Sequence, residues 1–450
     1  MNLIYRINDK PKFPQLLIFA LQQVLAILAA TIAVPTIIGN GMSQSAALFG
    51  AGMGTLVYQL FTRFKSPVYL GSSFAFLPSM AAAFAGAASI SAGHIGLIIG
   101  AILAGLVYVI IAIVIKFVGV AWINRLMPAA VIGPTVAIIG LSLSGNAIGD
   151  LTKGKVMVDG VSACSPYVAL ICGLITLFSI IIFSVYGKKM VRLIPFILGI
   201  LVGYVVATIF TVIGIATDNV ALQVIDFSVF KDLGVVAVPD FSFMHAGAGL
   251  QNITPTFIAT VAVAYVPVAF VVFAEHIADH KNLSTVIGQD LLTEPGLHRT
   301  LLGDGVGSMV GSVFGGCPNT TYGESVGCVA ITRNASVVTI TTAAIMCIVI
   351  SFFGPFVTFL SSIPNCVMGG VCIALYGFIA VSGLKMVQKV DLNQSKNLFV
   401  VSVILIAGVG GLTVSFGQVT LTAIACALLL GILTNVLVSR APQDTENKED

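Results

Sequence analysis

Four acidic side chains stand where acids are costly. Glu275 closes the apolar run from Thr260 to Ala274, and Asp279 follows one turn later on the same helical face. Glu324 sits in a segment dense with Pro, Gly and hydroxyl residues, and Asp304 lies in the Gly-rich start of the apolar run before it. His276 and His280 make a second i,i+4 pair, about 100° around the helix from the first. An acid at membrane depth is unfavourable unless paired, protonated or wetted, and it marks a functional site by default. Removal from water favours the neutral form of a carboxylic acid, so such a group can take up and release a proton. Glu275 and Glu324 are therefore the leading candidates for ligand binding and proton coupling. Asp279 and His280 lie nearer Lys281, where a solvated helix end accounts for them, although Asp279 stays a proton-coupling candidate through the face it shares with Glu275. For Asp304 an N-cap or packing role is the expectation. Sodium coupling would use the same carboxylates and carbonyls, so these residues alone leave the ion open.

The elements that must position these groups follow from composition. The chain has 450 residues, 58% hydrophobic and 9% charged, with a net charge of +3 and a mean hydropathy of +1.06. Soluble domains run at about 45–50% apolar and about 25% charged. A surface built from so few charges excludes a cytosolic enzyme, and the apolar content excludes disorder. The long apolar runs also exclude a β-barrel, whose strands alternate over short segments. An all-α polytopic membrane protein remains. Apolar runs fall at 14–36, 45–62, 68–87, 95–118, 126–145, 166–187, 193–216, 252–274, 300–316, 325–353, 355–382, 397–413 and 418–438. The run 325–353 is long enough to hold the end of one span and all of another, so about fourteen spans are expected.

Charge placement favours fourteen and orients them. With the N-terminus inside, 18 of the 21 Lys and Arg fall inside, leaving only Lys153, Lys155 and Lys231 outside. The longer outside loops, about 146–165 and 217–250, carry Asp150, Asp159, Asp218, Asp226, Asp232 and Asp240. The expectation is an inner or plasma membrane protein with both termini cytoplasmic, no signal peptide, and a polar tail at 441–450. The eight cysteines form no CxxC pair, so neither a metal site nor a disulfide framework is expected.

The sequence repeats itself. Pro128-Ala129-Ala130-Val131-Ile132-Gly133 aligns with Pro364-Asn365-Cys366-Val367-Met368-Gly369, and Ser72-Ser73-Phe74-Ala75 aligns in residue type with Thr320-Thr321-Tyr322-Gly323. The offsets, 236 (128 to 364) and 248 (72 to 320), imply two halves of about seven spans. An odd span number inverts the second half, as in the inverted repeats of secondary transporters. Two segments, Ser66–Pro78 and Gly315–Gly327, pack Pro, Gly and hydroxyls at membrane depth and read as short extended stretches. Irregular backbone is tolerated there only where it is buried in protein or lines a cavity. Matching breaks in two halves point to a midplane substrate site.

Other motifs carry less. Gly303-Asp304-Gly305-Val306-Gly307 lacks the strand–loop–helix context of a nucleotide site. The sequons at Asn282, Asn319 and Asn334 lie inside or within the membrane in this topology. No Ser/His/Asp set suggests a hydrolase, and no basic patch suits nucleic acid. Functions of other classes stay open at this point: a membrane-embedded enzyme with paired acids and a metal, for which a second acid cluster such as DxxxD is absent, or a passive channel. A sulfate-type anion carrier is disfavoured, because acids in the site would repel its ligand.

Several stretches resemble the nucleobase–ascorbate transporter family, and within it the bacterial uracil-transporting branch. They are Ala274-Glu275-His276-Ile277-Ala278, Asp290-Leu291-Leu292, Pro295-Gly296-Leu297-His298-Arg299, Pro318-Asn319-Thr320-Thr321-Tyr322-Gly323-Glu324 and Gly71-Ser72-Ser73-Phe74-Ala75-Phe76. The family signature reads here Glu324-Ser325-Val326-Gly327-Cys328-Val329-Ala330-Ile331-Thr332-Arg333, and the resemblance runs from about Leu16 to Val438. It implies two inverted seven-span repeats with short strands in spans 3 and 10. A core domain would comprise 1–120 (spans 1–4) and 251–354 (spans 8–11). A gate domain would comprise 121–250 (spans 5–7) and 355–440 (spans 12–14) and form a homodimer contact. It further implies proton-coupled uracil import by elevator-like alternating access, with no cofactor beyond the proton. A purine permease for xanthine or uric acid is the alternative on the same fold. By motif, Glu275 and Glu324 hold the ring, Phe74 and Gly323 offer backbone groups, and Tyr322 and Ala30 line the pocket. Three positions depart from the pattern: Ser325 replaces the usual Asn, Asp279 stands where relatives often have His, and Gln23 where His is frequent. Uracil alternates N–H donors with carbonyl acceptors. Carboxylates would accept from the former, and backbone N–H groups at a broken helix would donate to the latter.

Overall fold

The computed structural model describes residues 3–439 apart from 120–121, 123–125, 159, 189, 232 and 417–418. The polar tail, Arg125, Asp159, Lys189, Asp232, Arg440 and Lys448 therefore lie outside the described residues. The chain is built from helices, and its principal elements fall in two similar series. The first comprises α1 (Phe13–Ile38), α2 (Gln44–Phe61), strand β1 (Leu70–Ser72), α3 (Leu77–Ala85), α4 (Ile90–Val118), α5 (Ala129–Ser142), α6 (Pro166–Tyr186) and α7 (Pro195–Ala216). The second comprises α8 (Pro255–Ile287), α9 (Leu297–Gly315), strand β2 (Asn319–Thr321), α10 (Gly323–Thr332), α11 (Val337–Ile350), α12 (Gly354–Ser362), α13 (Asn365–Val387), α14 (Ser395–Val409) and α15 (Ala423–Val438). Seven of the described helices are long and apolar enough to cross a bilayer singly, among them α1, α4, α8 and α13.

Local chemistry sets several boundaries. Ser43, Ser89, Thr254 and Thr422 each accept a backbone N–H at the start of a helix, which removes one of its unpaired donors. Proline opens α6, α7 and α8, where its missing N–H costs nothing. The apolar run 325–353 divides at Arg333–Ser336 into α10 and α11, as its length suggested. The run 355–382 divides too, which hydropathy did not reveal. Pro364 separates α12 from α13, because proline both lacks the donor and restricts the residue before it.

Helices α2, α4, α8, α9 and α11 pack together, as do α5, α6, α7, α13, α14 and α15 among themselves. At the crossing of α2 against α9 glycine lets the backbones come close. A Cβ on Gly54 would meet the Gly307 carbonyl oxygen at 2.7 Å, and a Cβ on Gly307 would meet that of Gly54 at 2.7 Å. Small residues at such crossings let backbones approach where lipid supplies no hydrophobic drive for association.

Between these helices β1 and β2 pair antiparallel, with Leu70 opposite Thr321, Gly71 opposite Thr320 and Ser72 opposite Asn319. Both strands are fully buried. Neighbouring side chains add hydrogen bonds at and around the strands. Thr55 accepts from the Leu70 N–H at 3.0 Å, and Gln59 donates to the Ser66 and Val68 carbonyls at 2.9 and 3.2 Å. Asn319 donates to the Gly50 carbonyl at 2.8 Å.

Gly307→Val should destabilise the protein by about 2 kcal/mol or more through overpacking. Thermal unfolding in detergent reads this directly; an unchanged midpoint would show that the crossing can yield.

Candidate functional site

The two breaks meet at one cavity of about 360 Å³. On one side lie Ser73, Phe74 and Ala75 after β1, Thr320–Glu324 from β2 into α10, and Glu275, Ala278, Asp279 and Asn282 along α8. Opposite them lie Val136 and Ile139 of α5, Phe196 of α7, and Leu375, Phe378, Ile379, Ser382 and Met386 of α13. One wall is polar and comes from the broken segments; the other is almost wholly apolar. Such a cavity suits a flat polar ring more than an ion alone, because pockets for small molecules combine apolar walls with a few placed polar groups.

Two helix starts face this space without a capping side chain, that of α10 and that of the short turn Phe74–Phe76. Helix N-termini leave backbone N–H groups unpaired and attract acceptors. Tyr322 ties the breaks together by donating its hydroxyl to the Ser72 carbonyl at 2.6 Å. Its ring lies so close over Gly71 that a Cβ there would collide with it. Phe74 meets Tyr376 edge-on, ring centroids 6.0 Å apart, across the two walls.

Of the residues singled out from sequence, Glu275, Glu324, Phe74, Gly323, Tyr322 and Asp279 all line the cavity. Ala30 does not appear among the described lining residues. It is 2% exposed on α1, buried in helix packing. Asp279 and His280 are not a solvated helix end. Asp279 faces the cavity and accepts from the Thr321 hydroxyl at 2.7 Å, and His280 is completely buried. Helix α8 runs a further two turns past Asp279, which carries its solvated end away from these residues. Asp304 is no N-cap: it lies in the middle of α9 and is completely buried. Two of the departures from the family pattern contact each other, since Gln23 donates its side-chain amide to the Ser325 hydroxyl. Ser325 in turn accepts from the Tyr69 N–H at 3.4 Å.

Behind the cavity, on the other face of α8, lies a polar network that the spacing of His276 and His280 hinted at but did not partner. His276 Nδ1 is 2.7 Å from Asp304 Oδ2, and its Nε2 is 3.0 Å from the Thr300 hydroxyl. That hydroxyl donates to the Leu297 carbonyl, so it accepts from Nε2–H. One proton is then shared between His276 Nδ1 and Asp304 Oδ2. His280 stacks on His276 with centroids 4.0 Å apart and donates from Nδ1 to the His276 carbonyl at 2.8 Å. Its Nε2 accepts from Tyr58, 2.7 Å away, and Tyr58 contacts Ser66 at 2.8 Å at the entry to the first break. Among the described residues no cluster of His, Cys, Asp or Glu is arranged to hold a metal.

The His276–Asp304 pair yields a prediction. Replacing either residue with Leu leaves its partner buried and unpaired, at a cost of about 1–3 kcal/mol. The double Leu variant should lose less than the two single losses combined, with a coupling of roughly 0.5–3 kcal/mol in thermal or denaturant unfolding. Strictly additive losses would show no coupling.

Apolar helices around paired strands, with a half-apolar cavity at the two breaks, define a multi-pass membrane protein with a small-molecule-sized cavity within it. A sequence profile described as "Permease family" (Xan_ur_permease) matches residues 14–417. The chain belongs to this permease family. It is 38% identical over 445 residues to a uracil permease of Bacillus caldolyticus, covering 98% of this chain and 96% of that one. It is 36% identical to a uracil permease of Bacillus subtilis strain 168, covering 95% of this chain and 93% of that one. In fold it is similar to the transmembrane domain of a cyanobacterial bicarbonate transporter, BicA, with a TM-score of 0.63 and 16% identity over 96% of this chain and 100% of the other.

Proposed function

We propose that this chain imports uracil, coupled to protons, by alternating access. The observation that carries the reading is the convergence of two glutamates, Glu275 of α8 and Glu324 of the second broken segment, on one cavity beside two uncapped helix starts. The names of its relatives point to the same substrate. Glu275 anchors the ring by accepting from its N–H edge, and Glu324 both binds the ring and takes up the coupling proton. Backbone N–H groups near Phe74 and Gly323 donate to the ring carbonyls, and Tyr322 holds the strands in register beneath it. Asp279, one turn from Glu275, serves the proton step. A site of this kind rejects rings with the wrong edge, because a buried donor or acceptor left unpaired is costly.

The packing supports a division into a core (α1–α4 and α8–α11) that carries the polar wall and a gate (α5–α7 and α12–α15) that carries the apolar wall. An apolar wall offers the core few polar contacts to break, which suits an elevator-like displacement and a dimer built through the gate. We place both termini in the cytoplasm, with fourteen crossings, on the Lys and Arg distribution. In that orientation the cavity extends through Asn282 and Met386 toward the inner ends of α8 and α13, marked by Lys281 and Lys385.

Glu275→Gln replaces an acceptor oxygen with a donor facing the ring N–H. Uracil-induced thermal stabilisation of the purified protein should fall by about 2 kcal/mol in binding, or roughly 30-fold in Kd. Undiminished binding would remove the site assignment. Uptake of labelled uracil into cells should collapse when a protonophore is added and should be competed by unlabelled uracil well ahead of xanthine. Uptake indifferent to the protonophore would remove the coupling, and preferential competition by xanthine would shift the substrate to a purine.

A further inference from the structure

A second cavity, of about 270 Å³, lies where the ends of α2 and α4 meet the start of α9. Its walls combine two kinds of side chain. Lys116, His298 and Arg299 bring basic groups, and Phe61, Ile113, Phe117 and Leu302 are apolar. No acid lines it. The ion pairs formed among the described residues leave Lys116, His298 and Arg299 out; the one acid in the loop just before α9 that forms a pair, Glu294, is engaged by Lys65 at 2.6 Å. Three basic side chains thus share a small space with no counter-charge among the described residues that line it.

The placement of these groups matters as much as their number. His298 and Arg299 stand in the first turn of α9, which has neither an acid nor a capping side chain. Cations are unfavourable at that end of a helix, and an anion there is favourable. Lys116 stands in the last turn of α4. Beside it Phe117 is 78% exposed and Ile113 49%, an apolar flank next to the basic groups. The cavity therefore opens sideways at the boundary between the hydrocarbon and the headgroups, with charge at one end and oil at the other. That combination is the one an anionic phospholipid presents.

We propose that this cavity binds a single phospholipid of net negative charge, with Lys116 and Arg299 on the headgroup phosphate and Phe61, Ile113, Phe117 and Leu302 along the first carbons of an acyl chain. His298 supplies a further donor to the phosphate oxygens. The leaflet rests on the orientation proposed above, which makes it the inner one; the lipid class rests only on the cavity. A free phosphate would satisfy the cations but leave the apolar wall unused.

The test uses the delipidated full chain in a neutral detergent, with thermal unfolding followed as lipid is titrated in. Phosphatidylglycerol should raise the midpoint more than phosphatidylcholine of the same acyl chains, and inorganic phosphate should have little effect. Lys116→Gln/Arg299→Gln should weaken the response to phosphatidylglycerol roughly 30-fold, at about fivefold for each charge removed, and Lys116→Arg/Arg299→Lys should retain it. Equal responses to the two lipids, an equal response to inorganic phosphate, or a full response in the double Gln variant would each overturn the proposal. Should that variant not fold, native mass spectrometry of the unmodified chain decides. A retained phosphatidylglycerol adduct supports the site, and equal retention of phosphatidylcholine overturns it. Uracil-induced stabilisation, read in the same samples, keeps the two readings separate. Its presence without lipid selectivity sinks only the lipid site, and its absence with selectivity sinks only the transport reading.

Discussion

Every backbone N–H and C=O held away from water needs a partner, and in this protein that requirement bears hardest on six residues. Leu70–Ser72 and Asn319–Thr321 run extended inside a helical bundle, where each could satisfy only half its groups alone. They pair with each other, and α2 adds Thr55 at Leu70 and, just before the first strand, Gln59 at the Ser66 and Val68 carbonyls. Non-helical backbone survives at this depth only under such cover. The glycine crossing of α2 and α9 follows from the same need, since side chains there would push apart the two helices that hold the strands. Once the strands are held, the helices that follow them must begin in the middle of the protein. Their unpaired N–H groups then face the cavity as a built-in consequence, and no separate binding loop is required.

Helix α8 serves two environments at once. Residues 275 and 279 face the cavity, and 276 and 280, turned by 100°, face the bundle. The first pair offers acceptors to a ligand. The second is held by Asp304, Thr300 and Tyr58 through hydrogen bonds with a proton shared at one end, while Asp304 Oδ1 stays buried without a partner among the described residues. These bonds tie α8 to α9 through Asp304 and Thr300 and to α2 through Tyr58, and so orient α8 and with it the direction in which Glu275 points.

Much of this was legible beforehand, and the reasons are physical. Proline, glycine and hydroxyl residues cannot sit together in an ordinary spanning helix, so the two breaks announced themselves. Their shared order, hydroxyl, hydroxyl, aromatic, small, announced that they correspond. Contacts between distant elements were not legible. Nothing in the local sequence says that Gln23 reaches Ser325 across 302 positions, or that Asp304 is the partner of His276 rather than a helix cap. Asp279 and His280 were misplaced for a related reason: proximity to Lys281 in sequence suggested water, while α8 continues to Ile287 and keeps both enclosed. Pro364 was overlooked as a helix boundary because hydropathy averages across a break of two residues.

The sequence by itself determined the solvent, the class of fold, the inverted halves and the identity of the acids. Composition and residue order carry those properties, and the bilayer itself imposes the first two, since it admits only apolar surfaces and internally satisfied backbone. Only the tertiary structure decided which acids share a cavity, which histidines are sealed from it, and that a ring-sized space has one polar and one apolar wall. Those outcomes depend on the rotation and crossing of helices far apart in the chain. Rotation is set by packing against partners, and no local pattern encodes who the partner is.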